Sequence, residues 1–148
     1  MNRLEQTLKS FSEIKDYKIT KTHKHSYELF YVATKLETAR TTDSDSTTVT
    51  IYIDENNMRG NADFKYADYL TDDELKENIE DAIFNAKLAL NPMYELPGKQ
   101  DKPVKLISNL AHKPFAETAK EVAEAVFSNA MDDVIYSAAT EIFLYKLD

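Results

Sequence analysis

The sequence contains no cysteine. A chain without thiols forms no disulfide, holds no cysteine-ligated zinc or iron–sulfur cluster and offers no thiolate nucleophile. Its two glycines are too few for a glycine-rich phosphate loop, and neither a Gly-x-Ser-x-Gly elbow nor a His-Glu-x-x-His pair occurs. We therefore predict no catalytic, cofactor-binding or metal-ligating residue in this chain.

Long apolar runs and an excess of basic residues are also missing. No apolar run approaches the roughly 18 residues of a membrane-spanning helix, and the N-terminus does not resemble a signal peptide. Residues 1–60 are neutral, with nine basic and nine acidic side chains, so the net charge of −8 belongs to residues 61–148. A protein that binds nucleic-acid phosphates normally presents a basic surface. We expect a soluble cytoplasmic protein that contacts neither membrane nor nucleic acid directly.

The composition is that of a folded protein. The chain has 148 residues, of which 43% are hydrophobic and 11% aromatic. A chain of this length suits one domain and buries enough surface to fold without disulfides or metals. We predict a single domain that spans residues 1–148.

The N-terminal half changes from helical to strand periodicity. Residues 2–14 place Leu4, Leu8 and Phe11 at helical spacing, which predicts a short amphipathic helix. From Tyr17 to about Tyr66 the apolar residues alternate instead, as they do in strands with one buried face. This half therefore predicts a helix followed by several strands.

Turn residues divide the predicted strands. Two runs rich in β-branched residues, Thr38–Thr42 and Thr47–Ile53, flank the segment Asp43-Ser44-Asp45-Ser46. Asp and Ser favour turns because their side chains can bond the nearby backbone. We therefore predict a hairpin whose turn is formed by residues 43–46. A second turn is predicted at Glu55-Asn56-Asn57, followed by a strand that ends near Tyr66.

A capping box begins the next helix. Thr71 and Glu74 have the spacing with which the two side chains cap a helix start. The helix should end before Asn91-Pro92, because the residue before proline is disfavoured in the α region. The face predicted to be buried consists of Leu75, Ile79, Ala82, Ile83, Ala86 and Leu90.

The C-terminal part combines a proline-rich connection over residues 92–114, a helix over about 115–130 and a strand over about 134–145. Strands followed by helices indicate an α+β fold, with a mostly antiparallel sheet of about five strands and helices packed on one face. Because the last strand pattern runs almost to Asp148, we expect the chain to be part of a longer polypeptide. In the helix predicted over about residues 115–130, the buried residues are expected to be Ala119, Val122, Val126 and Phe127.

The histidines are the first candidates for a metal site. His23-Lys24-His25 places two imidazoles on one face of a predicted strand. A zinc site needs three or four protein ligands, and the nearest acids in sequence, Asp16 and Glu28, have no diagnostic spacing. We interpret His23 and His25 as surface residues of a strand and His112 as a loop residue.

Acidic and tyrosine residues supply two further candidates. Asp43-x-Asp45 matches the start of an EF-hand calcium loop, but that loop would need Gly and Glu where the sequence has Thr48 and Asp54, so we reject it. Tyrosines in predicted strands could form a peptide-binding face, although such side chains also fill ordinary sheet faces. These tyrosines are Tyr17, Tyr27, Tyr31, Tyr52 and Tyr66.

A family resemblance is carried by strand, turn and helix-start segments that together span most of the chain. The segments are Glu28–Val32, Leu36–Arg40, Thr48–Asp54, Arg59–Ala62, Thr71–Leu75 with Ala82 and Ala86, Asn91–Pro97 and Ser137–Leu144. Together they resemble the N-terminal domain of the TldD/PmbA family. Members of this family are zinc metallopeptidases, and some are described as modulators of DNA gyrase.

The resemblance implies a domain without the catalytic centre. In that family the metal ligands belong to a His-Glu-x-x-x-His motif and a later cysteine in the C-terminal half, and this chain has neither. The domain is then expected to help enclose a peptide-accepting cavity in a homo- or heterodimer. Zinc is expected in the missing C-terminal half. The implied partners are that half, a second subunit and a peptide or unfolded-protein substrate.

Two other functions remain open from the sequence. The chain could be a stand-alone protein-binding or regulatory module that uses its sheet face or its acidic helices. It could also be a small enzyme built on His23, His25 and nearby acids.

Overall fold

The structure is a computed structural model that describes residues 3–98, 112–131 and 139–147. Its strands form one antiparallel sheet in the order β4-β3-β2-β1-β5, so the predicted α+β class is confirmed. Parts of the proline-rich connection and of the last predicted strand lie outside the described residues. The elements in chain order are α1 (Arg3–Ser10), β1 (Ile14–Val32), β2 (Lys35–Glu55), β3 (Met58–Tyr66), α2 (Asp72–Leu88), β4 (Leu90–Pro92), α3 (Phe115–Phe127) and β5 (Ala139–Leu147).

Strands β1 and β2 are neighbours in the sheet and are unusually long, with 19 and 21 residues. The chain reverses between them at Ala33 and Thr34, and Ala33 has a positive φ of 55°. The predicted turn at residues 43–46 is wrong, because these residues lie inside β2. Their side chains do not cap a turn; Asp43 and Asp45 instead pair with histidines of β1.

Contacts within the chain define two compact units. The first contains the described residues 3–22 and 46–98, and therefore α1, α2, β3, β4 and one part each of β1 and β2. The second contains residues 23–45, 112–131 and 139–147, and therefore α3, β5 and the other parts of β1 and β2.

In the first unit, α1 and α2 pack against β2, β3 and the start of β1. The helix α2 begins with the predicted capping box: the Thr71 hydroxyl accepts from the Glu74 backbone N–H, and the Glu74 carboxylate accepts from the Thr71 N–H. The helix ends at Leu88, and Leu90 belongs to the short strand β4 rather than to the helix. The buried core residues are Leu4, Leu8, Val49, Ile51, Leu75, Ile79, Ala82 and Ile83.

The predicted turn after Glu55 is confirmed. Asn56 and Asn57 have φ values of 51° and 61°, and Glu55 pairs with Met58 on either side of them. Two left-handed residues make the two-residue turn that matches the twist of an antiparallel hairpin, and Asn tolerates this conformation well. The turn sets the β2–β3 register, in which Ile51 lies opposite Ala62.

In the second unit, α3 packs against β1 and β5. The core consists of Leu29, Tyr31, Ala119, Ala123 and Ile142. The prediction that Val126 is buried is wrong: its side chain is 52% exposed. Val126 lies in the last turn of α3, where it borders an open pocket beside Ala33 and Thr34 instead of filling the core.

None of the helices in the described part of the chain is both long and apolar enough to cross a membrane.

The close contact between Gly60 and α2 generates a stability prediction. A Cβ on Gly60 would lie 2.0 Å from the backbone oxygen of Ala86, so Gly60→Ala forces β3 and α2 apart. We expect the free energy of unfolding to fall by about 1–3 kcal/mol, measured by urea unfolding. Gly98→Ala is the matched control because a Cβ there meets nothing within 4 Å. Equal stability of the two variants would contradict the packing described here.

Candidate functional site

Two histidines and two aspartates form cross-strand pairs in the second unit. His23 Nδ1 lies 2.9 Å from Asp45 Oδ1, and His25 Nδ1 lies 2.6 Å from Asp43 Oδ1. A carboxylate has no hydrogen to give, so each Nδ1 carries the proton and donates it. The His25 ring also stacks on Phe115 of α3, with 5.2 Å between the ring centroids. These side chains therefore link β1 to β2 and β1 to α3.

The four side chains do not make a metal site. In the described part of the chain, no three His, Cys, Asp or Glu side chains form a group that could hold a metal ion. The described residues therefore do not fit a zinc ion, and the family resemblance implies zinc in the C-terminal half rather than here. His112, the remaining histidine, lies in an exposed turn.

A second polar group, centred on Glu28, lies on the opposite face of β1. Glu28 is an odd number of positions from His23 and His25, and such side chains point to opposite faces of a strand. Ser26 Oγ donates to Glu28 Oε1 over 2.9 Å, and Arg40 Nε donates to Glu28 Oε2 over 2.8 Å. The second Arg40 nitrogen, Nη2, also contacts Oε2, and the Ser26 hydroxyl meets that of Thr42. Glu28 is 7% exposed, so Arg40 and Ser26 replace the water that the carboxylate would otherwise bind.

The same contacts determine the charge state of Glu28. Donation from Arg40, followed by donation from Ser26, holds the pKa of the Glu28 carboxyl below its ordinary value, against the opposing effect of burial. Glu28 is therefore an anion at neutral pH. A carboxylate held in this way is a poor general acid, and we assign the group a structural role between β1 and β2.

Aromatic and aliphatic side chains surround this polar group. The Arg40 guanidinium lies over the Phe30 ring, and Phe30 meets Phe143 of β5 edge to face with 5.7 Å between centroids. We call the face of β1 and β5 that points away from α3 the outer face. Its exposed apolar residues are Val32, Phe143, Tyr145 and Leu147, which are 45–59% exposed. So much exposed apolar surface on one face is typical of a surface that a partner covers.

The inner side of the second unit holds an open, mostly apolar groove. It lies between α3 and strands β1 and β2 and has a volume of about 380 Å³. Lys120 and Glu124 of α3 supply the charged groups at its rim. The groove is lined by Tyr27, Leu29, Tyr31, Leu36, Ala116, Lys120, Ala123, Glu124 and Phe127. An apolar floor with a charged rim suits a peptide side chain or an apolar ligand.

The five tyrosines do not form one binding face. Tyr27 and Tyr31 line the groove, whereas Tyr17 and Tyr66 pack against the core of the first unit. Tyr52 lies on the face of β2 opposite to that core, and burial raises the pKa of its hydroxyl. Of the five tyrosines, Tyr27 and Tyr31 therefore line the groove, and the other three do not join them in one surface.

Several residues of the site could not be identified as cross-strand partners from the sequence. Asp43 and Asp45 are predicted to lie in a turn once their match to a calcium loop is rejected, and Arg40 enters only through the family resemblance. The α3 residues at the groove follow helical spacing, so the period of the helix could have identified them. Their strand partners could not be found in this way, because they lie far away in the sequence.

The described residues define the class of the fold, which is an α+β fold in which a five-stranded antiparallel sheet packs against helices. Within this class the chain is similar to TldE from Thermococcus kodakarensis, with 18% sequence identity and a TM-score of 0.50. The match covers 97% of this chain and 32% of that chain. A match to a proposed modulator of a DNA gyrase from Thermotoga maritima has 13% identity, a TM-score of 0.46, and coverage of 87% and 31%.

At this level of identity the comparison with TldE shows a shared fold. To that extent the resemblance to the TldD/PmbA family is confirmed. The chain spans about a third of the length of either protein. No family model matches the sequence, and no curated protein does.

The Glu28–Arg40 pair generates a prediction about pH. Arg40→Gln removes the main cause of the lowered pKa, so it should reduce the free energy of unfolding at neutral pH. A lowered folded-state pKa stabilises the fold above the unfolded value, near 4.5, and this contribution is lost as the pH falls through the folded value. The difference between Arg40→Gln and the unmutated chain should therefore shrink as the pH falls below 4.5.

Urea unfolding over a series of pH values measures this difference. Lys35→Gln is the control, because Lys35 forms an ion pair with the exposed Glu37, at 3.7 Å, and its loss should have little effect at any pH. In a Glu28→Gln background, Arg40→Gln should lose its pH dependence. A difference that stays constant from neutral to acidic pH would rule out the assigned coupling.

Proposed function

We propose that this chain is the non-catalytic domain of a TldD/PmbA-type zinc-dependent metallopeptidase, in which it shapes a peptide cavity and a subunit interface. The observation that carries the proposal is the fold shared with TldE over 97% of this chain and 32% of that chain. A domain that accounts for a third of a larger protein leaves the chemistry to the rest of it. The zinc and its ligands are then expected in the part of the protein that follows this domain.

The cross-strand contacts of the polar side chains in the second unit support a non-catalytic role. Three acidic side chains of the second unit are paired across the strands: Asp43 and Asp45 with histidines, and Glu28 with Arg40. These contacts hold the side chains between neighbouring strands, which favours a structural role for them over a small enzyme built on His23 and His25.

The groove supports the peptide-binding part of the proposal. Its floor of Leu29, Tyr31 and Phe127 can accept an apolar side chain, while Lys120 and Glu124 can bond a peptide backbone at the rim. The partners are then the remainder of the parent protein, a second subunit, and a peptide or unfolded protein. We place this assembly in the cytoplasm, without direct contact to nucleic acid.

A stand-alone protein-binding or regulatory module is the second candidate. The exposed apolar side chains of the outer face favour it, because a module without further domains would need such a surface to bind its partner. The candidates differ in what the gene encodes beyond this chain.

The reading frame after codon 148 separates the two candidates. The metallopeptidase proposal predicts that the frame continues and encodes His-Glu-x-x-x-His followed by a cysteine. A stop codon directly after Asp148 in the natural gene would refute that proposal and leave the binding module.

Filling the groove tests its role in the parent protein. Ala116→Trp places an indole in the groove, and we expect kcat/KM for peptide hydrolysis to fall by about tenfold or more, with zinc content unchanged. Ala125→Trp is the matched control, because Ala125 lies on α3, is exposed and does not line the groove. Peptidase activity that is equal in the two variants would remove the groove from the proposal.

A further inference from the structure

Strand β5 forms one edge of the sheet. It pairs with β1 along its whole length, from Ala139 opposite Val32 to Leu147 opposite Lys24. No described strand pairs with its other side, since the strand order ends at β5. Every second residue of β5 therefore directs its backbone N–H and C=O groups away from the sheet.

This edge lacks the features that prevent strands from pairing with other chains. Natural edge strands are short, or carry prolines, bulges or many charges. By contrast, β5 has nine residues and no proline, and Glu141 and Lys146 are its charged side chains. The alternate residues Phe143, Tyr145 and Leu147 leave apolar surface exposed beside the edge.

We propose that β5 pairs antiparallel with β5 of a second copy of this chain, about a two-fold axis that passes through Phe143. The two sheets then continue into one another. This interface locates the subunit contact of the proposed function, and its biological role rests on that function. The observations that support the interface are those made on β5 itself.

The register follows from symmetry and from the two faces of the strand. Phe143 is the middle residue of β5, so a two-fold axis there pairs all nine residues. The axis keeps α3 of both copies on the same side of the joined sheet. Ile142, which is buried against α3, then lies opposite the partner's Leu144 on the same face. An interface of this kind is isologous, because each copy contributes the same surface.

The charges of the strand favour the same register. With the axis at Phe143, Glu141 lies opposite the partner's Tyr145, and Thr140 lies opposite the partner's Lys146. Like charges directly opposite each other would destabilise the pair, and this register has none. An axis at Leu144 shortens the ladder and sets Ile142 against Lys146, and an axis at Glu141 sets two carboxylates against each other. Because β5 meets no like charge of its own sequence in this register, its charges favour a second copy as the partner.

Because the chain has no cysteine, disulfide cross-linking can test the register directly. In Phe143→Cys the two thiols lie opposite each other across the axis. Paired Cα atoms in antiparallel strands are about 4.5–5.5 Å apart, within the range that a disulfide spans. We expect most of this variant to form a reducible dimer under mild oxidation.

Leu147→Cys is the matched control. Leu147 lies on the same face and is similarly exposed, but its opposite residue is Ala139 of the second copy. The two thiols would be about 27 Å apart, from eight residues of strand rise, and should stay unlinked. Equal cross-linking of both variants, or none in Phe143→Cys, would overturn the proposal.

A charge exchange tests the same axis without covalent chemistry. Phe143→Lys and Phe143→Glu each place like charges at the axis, so sedimentation should show dimerisation at least tenfold weaker than in the unmutated chain. An equimolar mixture of the two should restore the dimer, which also shows that both variants are folded. Leu88→Lys, at an exposed position of α2, should dimerise normally.

The outcomes separate this interface from the proposed function. An unmutated chain that stays monomeric at high concentration, or a mixture without recovery, overturns the interface and leaves the reading-frame test unaffected. A stop codon after Asp148 refutes the metallopeptidase assignment, while a positive cross-linking result for Phe143→Cys would still stand.

Discussion

The rest of the structure depends on the continuous pairing of β1 with β2. These two strands take part in both compact units, and in the second unit residues 35–45 of β2 are almost all exposed. This part of β2 therefore has little apolar burial to stabilise it. Cross-strand polar pairs supply specific contacts there, each typically worth a few tenths of a kcal/mol to about 1 kcal/mol. They are His23 with Asp45, His25 with Asp43, Ser26 with Thr42, and Glu28 with Arg40.

Local sequence signals predicted those parts of the fold that are determined locally. Thr71 and Glu74 cap α2 because both partners lie within one helical turn, and Asn56 and Asn57 suit a left-handed turn on their own account. The segment 43–46 misled the prediction because Asp and Ser favour turns when their side chains have no distant partner. Here the partners lie about twenty residues earlier in the chain. The real reversal uses Ala33, a residue type without turn preference.

The site was predictable to a smaller extent. Helical spacing located the α3 surface approximately, but the groove also needs Tyr27 and Tyr31 of β1, and Leu36, which the pairing of β1 with β2 brings beside them. Glu28 and Arg40 belonged to segments that carried the family resemblance, yet their contact depends on that same pairing. The structure thus gives the conspicuous polar residues of β1 and β2 a role in cross-strand support.

Amide hydrogen exchange at residues 43–46 is the most direct measurement of the β1–β2 pairing. An unbroken β2 that pairs with β1 predicts slow exchange at every second amide in this segment, because those N–H groups bond to β1 while the others point away. Replacement of both Asp43 and Asp45 by Ala should speed up that exchange while the amides around Ile51 stay protected. Fast exchange at all four amides of the unmutated chain would mean that a turn interrupts β2, and it would contradict the account.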